Sequence, residues 1–263
     1  MITRKKLQTR RPHLARYTVY DYFAWVYNKH WGTQVIDHLI PVTERLLLGN
    51  LPAGARILDL CCGPGHLVQA LLARGYNVTG LDGSDMMLDF ARKNATRGEF
   101  ILADARSFRL PQIYHAVVST YDSLNHITNS EELLAVFRNV YATLQSDGYF
   151  LFDVTLADGY QAYHGHTLSF IEDDHVCLIR LNYRSEEQIR QSDLTIFRLA
   201  KERWQRSDFM ILEKSYSVEE MLSHLRAAGF METKTYEAQR DLGLPYIGRI
   251  YFVSRKFGSL SHT

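Results

Sequence analysis

From residue 56 onward, apolar runs of strand length alternate with segments whose apolar residues recur every three or four positions. The runs at 56–60, 76–82, 99–103, 115–120 and 148–154 read as buried strands, and 66–74, 84–94 and 130–145 read as helices. Apolar strands joined by helix-length segments need right-handed crossovers, which build a parallel sheet with helices on both faces. Upstream, Tyr20, Phe23, Ala24, Tyr27 and Trp31 recur at helical spacing and share one face, which is expected to pack on that sheet. A second helix, about 34–48, stops near Gly49-Asn50-Leu51-Pro52.

The rhythm breaks at about 160–215. The segments 167–171, 176–183, 194–201 and 209–216 are rich in β-branched and aromatic residues with partial alternation, as antiparallel strands are. Ser217-Val218-Glu219-Glu220 then looks like a capping box opening a helix that ends near Gly229, and strands at 230–238 and 249–256 follow. The predicted fold class is α/β: a doubly wound, mostly parallel, seven-stranded sheet with an inserted antiparallel β-flap. The expected organisation is a basic tail at 1–16, a core at 17–159 and 216–257 with a helical cap, and the flap at 160–215.

Composition narrows the setting. The chain has 263 residues and a formal net charge of +1, enough for one large core and too neutral for a global pull toward nucleic acid or membrane. No apolar run reaches the roughly 18 residues of a membrane-spanning helix. Cys61, Cys62 and Cys177 suit neither a disulfide framework nor a zinc site, which favours a reducing, cytoplasmic setting. The first sixteen residues carry Arg4, Lys5, Lys6, Arg10, Arg11 and Arg16 and no acid. They lack the apolar core of a secretory signal and read as a solvated terminus, with nucleic-acid binding or organellar targeting as alternatives.

The candidate chemistry lies where strands end, as ligand sites in such sheets do. The first strand closes on Asp59-Leu60-Cys61-Cys62-Gly63-Pro64-Gly65, and the second on Asp82. Gly63 and Gly65 let backbone approach a ligand, and a helix beginning at His66 aims its amides toward it. The third glycine of the dinucleotide fingerprint is replaced by Val68. Asp59 would repel a pyrophosphate, more strongly as water is excluded. It suits a ligand with an ammonium and a sulfonium, namely S-adenosylmethionine. Asp82 stands where an acid accepts hydrogen bonds from ribose hydroxyls, with Asp85 able to cap the next helix and leave Asp82 free. Asp104-Ala105 offers a carboxylate and an amide for adenine.

With these elements in register, and with Gly80-Leu81-Asp82-Gly83-Ser84-Asp85-Met86-Met87-Leu88 and Ser119-Thr120-Tyr121-Asp122-Ser123-Leu124-Asn125-His126, the chain resembles the class I S-adenosylmethionine-dependent methyltransferases, whose sheet is Rossmann-like. The resemblance covers about 20–155 and 215–256. It implies that Asp59, Gly63 and Gly65 hold the methionine end and Asp82 the ribose. It gives Asp104 with Ala105 the adenine, and Cys61, Gly83, Met87 and Tyr121 places beside the cofactor. Within the family, the Tyr-x-x-Phe-Ala-x-x-Tyr segment and the β-flap are similar to small-molecule methyltransferases, which makes Tyr20 and Tyr27 candidates for closing the pocket. Asn28 stands where those relatives carry an aspartate.

Methyl transfer from a sulfonium is an in-line displacement, so positioning supplies much of the catalysis and no metal is required. A base is needed only if the acceptor must lose a proton. His126 is the catalytic candidate, with packing at the start of a helix as the competing reading. Trp31, Asp122, Asn125 and Tyr216 are expected to line the acceptor. The turn Thr120-Tyr121-Asp122-Ser123 is unlike the adenine-clamping turn of base-amine methyltransferases, and no cysteine nucleophile stands there for pyrimidine carbon chemistry. O- or N-methylation of a small molecule by a monomer or flap-mediated homodimer leads. The alternatives are a tRNA or rRNA methyltransferase using the basic tail, and a catalytically silent cofactor-binding partner protein.

Overall fold

Leu58 and Leu60 point to one side of the first strand and Ile57 to the other, and all three are fully buried. A strand covered on both faces belongs at the centre of a sheet, and there it lies in the computed structural model, which describes residues 17–258. The chain begins with α1 (Thr18–His30) and α2 (Gly32–Leu46), then a short 3-10 turn at Leu48–Asn50. The alternating core follows: β1 (Arg56–Leu60), α3 (His66–Ala73), β2 (Asn77–Asp82), α4 (Asp85–Asn94), β3 (Glu99–Leu102), β4 (Tyr114–Ser119), α5 (Ser130–Thr143) and β5 (Leu144–Thr155). After α6 (Ala157–Ala162) come the strands β6 (Thr167–Glu172), β7 (His175–Arg184), β8 (Ile189–Ala200) and β9 (Arg203–Lys214). The chain then returns through α7 (Val218–Ala228), β10 (Glu232–Glu237), α8 (Ala238–Leu242) and β11 (Arg249–Arg255).

The seven-stranded sheet has the order β10-β11-β5-β4-β1-β2-β3. The pairs among β1 to β5 are parallel, and β11 runs antiparallel to both its neighbours. That reversal matters for the site: Arg249, the first residue of β11, pairs with Thr155, the last of β5, and so lies at the same edge as the carboxyl ends of the parallel strands. The crossover from β3 to β4 passes over β2 and β1, which puts the topological switch point between β1 and β4.

Local signals account for the helix starts. The Ser84 hydroxyl accepts the Met87 amide at the head of α4, Asn129 caps α5, and Ser217 with Glu220 completes the capping box of α7. Ser84 therefore takes the role assigned to Asp85, and Asp82 is not left free. Its two oxygens accept the amides of Gly63 and Ser84, both at 2.9 Å.

The flap is a separate antiparallel sheet in the order β6-β7-β8-β9. His175, Cys177, Ile179, Leu181 and Tyr183 alternate onto its buried face. Phe23 and Val26 of α1 pack into that face with Cys177, Ile179, Leu194 and Ile211. The aromatic stripe of α1 thus lies against the flap rather than on the large sheet, and Asp21 docks the other side of α1 on the head of α4 through the Ser84 hydroxyl at 2.7 Å. The last two flap strands begin earlier than their sequence pattern indicates, at Ile189 and Arg203 rather than 194 and 209, and the short helices α6 and α8 were not foreseen. Among the described residues, no helix is long and apolar enough to cross a membrane.

Candidate active site

A cavity of about 560 Å³ opens at the carboxyl edge between β1, β2 and β4, with α1 on one side and the flap above. That size is in the range of small-molecule sites. At one end the backbone after β1 turns through left-handed conformations at Cys61 (φ 62°), Gly63 (φ 53°) and Gly65 (φ 78°). Gly65 lies outside the lining and serves packing, because a Cβ there would meet Ala91 Cβ at 2.9 Å. Gly63 faces the cavity, with only Tyr27 near its missing side chain, at 4.0 Å.

Asp59 lines this end at 3% exposure, and its Oδ2 has no hydrogen-bond partner. Burial, reinforced by the charge of Asp82, pushes its carboxyl well above the usual range. An unpaired buried carboxylate of this kind is costly unless a cation or proton balances it. Burial also raises Asp82, against the opposing pull of the amides of Ser84 and Gly63. Cys61, Gly83, Met87 and Ala105 line the same end.

Asp104 does not. Its carboxylate is turned onto Arg106, which donates from Nη2 at 2.6 Å and from Nε at 2.7 Å. Burial opposes ionisation, but Arg106 holds Asp104 below the usual carboxylate range. Arg106 also donates to Glu132 at 3.2 Å and to the Tyr17 hydroxyl at 3.0 Å, and Tyr17, Arg106 and Glu132 all line the cavity. The polar group presented beside Ala105 is thus a guanidinium rather than the expected carboxylate.

Tyr20 and Tyr27 of α1 and Trp31 just beyond it form one wall, the latter two stacked at 6.0 Å between ring centres. The Tyr20 hydroxyl and His126 Nδ1 share a 3.0 Å hydrogen bond, with the rings edge to face. Burial keeps the Tyr20 phenol protonated, far above its ordinary range. Asn28 Oδ1 accepts from Asn94 at 2.7 Å and lies 3.0 Å from Nε2 of His66, a cavity residue.

The far end of the cavity is built around Arg249. It forms an ion pair with the fully buried Asp153 and another with Asp122 at 3.3 Å, and lies 5.0 Å from the ring centres of Tyr121 and Tyr246. Asp153 also accepts the amides of Tyr121 at 2.6 Å and Asp122 at 3.0 Å, which fixes these two residues in left-handed conformations of φ 61° and 51°. Burial works against ionisation of Asp122, but Arg249 and Arg190 hold it below the usual range. From the flap, Arg190 of β8 and its cross-strand partner Glu213 of β9 reach the same space, paired at 3.3 Å.

Two expected lining residues are structural instead. Asn125 is fully buried and bonded on all sides, donating to the carbonyls of Thr155 and Lys214 and accepting the Thr155 amide. Tyr216 is 1% exposed and donates to the Ile127 carbonyl at 2.5 Å. The residues that sequence reasoning missed are Tyr17, Arg106, Glu132, Arg190, Glu213, Tyr246 and Arg249. Only the Asp104-x-Arg106 spacing offered a local signal.

Residues 57–148 match the family model described as a methyltransferase domain. The chain is 27% identical to the putative methyltransferase YqeM of Bacillus subtilis (strain 168), over 81% of this chain and 86% of that one. It is 29% identical to the dTDP-3-amino-3,4,6-trideoxy-alpha-D-glucopyranose N,N-dimethyltransferase of Streptomyces venezuelae, over 54% of this chain and 60% of the relative. In fold it is similar to the sugar N-methyltransferase KedS8 from Streptoalloteichus sp ATCC 53650, with a TM-score of 0.73, 18% identity, and 98% and 99% of the two chains covered.

Proposed function

We propose, from the premise that this chain is a class I S-adenosylmethionine-dependent methyltransferase, that it methylates a nitrogen of a small polar molecule held between the large sheet and the flap. The observation that carries this reading is the single cavity running from Asp59 and Asp82 at one end to Arg190, Glu213 and Arg249 at the other. Its two ends suit two small ligands side by side, with the flap as a roof.

The residues fit the cofactor. The unpartnered Asp59 oxygen suits a cationic group, and the Gly63 backbone permits close approach. Asp82, Gly83 and Met87 would hold the ribose side, while Ala105, with Arg106 in place of Asp104, would flank the adenine. Tyr20, Tyr27 and Tyr121 would close the pocket. When bound, the cofactor supplies a methyl group already activated on a sulfonium.

The chain's task is then to hold the acceptor in line and to take its proton. Three carboxylates, Asp122, Asp153 and Glu213, face two guanidiniums, Arg190 and Arg249, at the acceptor end. This acidic surplus favours an amine over a carboxylic acid. His126 takes the proton at Nε2 in the tautomer whose Nδ1–H donates to the Tyr20 hydroxyl oxygen, 3.0 Å away. Trp31 supplies an apolar wall. The named activities of the Streptomyces relative and of the sugar N-methyltransferase of similar fold support nitrogen as the target.

The test is S-adenosylhomocysteine release from the purified chain with small amines, amino sugars and hydroxylated compounds, run beside total tRNA and rRNA. Turnover on an amine is expected. Methyl incorporation into RNA alone would overturn the proposal, and tight cofactor binding without turnover on any acceptor would favour a silent binding partner.

A further inference from the structure

Away from the cavity, the end of α1 meets the β6–β7 hairpin through His30, Glu172 and His175, separated by 145 residues between the two histidines. The two Nε2 atoms converge to 2.7 Å, and Glu172 Oε1 lies 3.9 Å from His30 Nε2. All three ligand atoms fall within 4.8 Å of one another. His175 is fully buried, and its other ring nitrogen, Nδ1, is 2.6 Å from the Asp174 carboxylate. That pairing puts the proton on Nδ1 and turns the lone pair of Nε2 toward His30, the tautomer and the carboxylate support that metal-bound histidines use.

We propose that His30, His175 and Glu172 form a binding site for a divalent transition ion, with zinc the best match to two imidazoles and one carboxylate. Bonds of about 2.0–2.1 Å at tetrahedral angles separate two ligand nitrogens by roughly 3.3 Å. The two rings therefore part by about half an ångström on binding, and Glu172 closes in, leaving Lys29, which donates to it at 2.5 Å. Water completes the set. The ion ties the flap to α1 at a sensitive place: Phe170 stacks on His30 at 4.3 Å and meets Trp31, a cavity wall residue, at 4.5 Å. Metal occupancy thus fixes the roof of the cavity without touching its contents.

The experiment uses the untagged full chain, stripped of metal and titrated with zinc in competition with a chromogenic chelator, with cobalt(II) substitution to read geometry. The expected result is one equivalent of zinc per chain, tetrahedral cobalt absorption bands, and a thermal midpoint that rises with free zinc. His30→Gln, which keeps a polar side chain at a mostly buried position, removes the tight site and the cobalt bands. Asp174→Asn, on an exposed side chain, weakens it by roughly 10–100-fold. Absence of stoichiometric uptake by the wild-type chain, or uptake undiminished in His30→Gln, overturns the proposal and leaves the two rings as a simple hydrogen-bonded pair.

Discussion

At the proposed donor end of the cavity Asp59 stands with one oxygen unpartnered, whereas at the proposed acceptor end Asp122 and Asp153 are both drawn onto Arg249. The first arrangement leaves an electrostatic debt that a cationic ligand settles, so charge supplies affinity there. The second is mostly paired before any ligand arrives, so beyond a surplus of one carboxylate it contributes shape and fixed direction. A methyltransferase needs both: its donor is always the same cation, while its acceptor must be told apart from similar molecules by geometry.

The contrast is broken most forcefully at Arg249. Arg249→Met leaves two buried carboxylates uncompensated and is expected to lower folding stability by about 3–5 kcal/mol, read as a shift in urea midpoint. Restoring part of that loss with Asp122→Asn in the same chain would show that the pairing, not the guanidinium's bulk, is responsible.

Asp59→Asn is expected to act in the opposite sense on the free protein. The acid's pKa is raised on folding, so the folded state holds its proton more tightly than the unfolded one. Wild-type stability therefore falls as pH rises through that raised value, and the asparagine variant escapes this loss. Its affinity for S-adenosylmethionine falls by about 1.5–3 kcal/mol, roughly tenfold to a hundredfold, as measured by calorimetry. In the wild type the same affinity increases with pH as Asp59 ionises. A variant that binds as tightly as wild type would remove the charge argument from the donor end.

Smaller effects sharpen the boundary between the ends. Tyr20→Phe deletes the hydrogen bond to His126 and is expected to cost about 0.5–1.5 kcal/mol. With His126 as the base, kcat falls by up to about tenfold; an unchanged kcat would exclude that role. Asp104→Asn is expected to matter least. Its partly exposed ion pair with Arg106 is worth about 1 kcal/mol or less after solvent screening, so cofactor affinity changes only severalfold.

The donor end was legible because its parts are local. Asp59, Gly63 and Asp82 belong to strand tips whose apolar runs are plain, and tip position nearly fixes direction. Asp104 sits in the same series, but its carboxylate is engaged by a guanidinium two residues on, a pairing that strand-tip position does not reveal. The acceptor end was hidden because cross-strand register decides it. Arg190 faces Glu213 only once β8 and β9 are paired, and the turn that sets their register, Lys201-Glu202, takes left-handed φ values of 49° and 60° without the usual Asn or Gly. Asn125 and Tyr216 were misassigned for a related reason: polar residues near a site and polar residues that staple its loops look alike until their partners are known.

The reversed direction of β11 also imposes an order in time. Every residue proposed for the donor end has been synthesised by the close of α5, but the guanidinium that organises the acceptor end arrives only with the final strand of the sheet. As the chain is made, the means to grip a methyl donor is therefore encoded well before the means to choose its recipient. Tyr121 and Asp122 acquire their partner's charge only when the end of the chain folds back against β5.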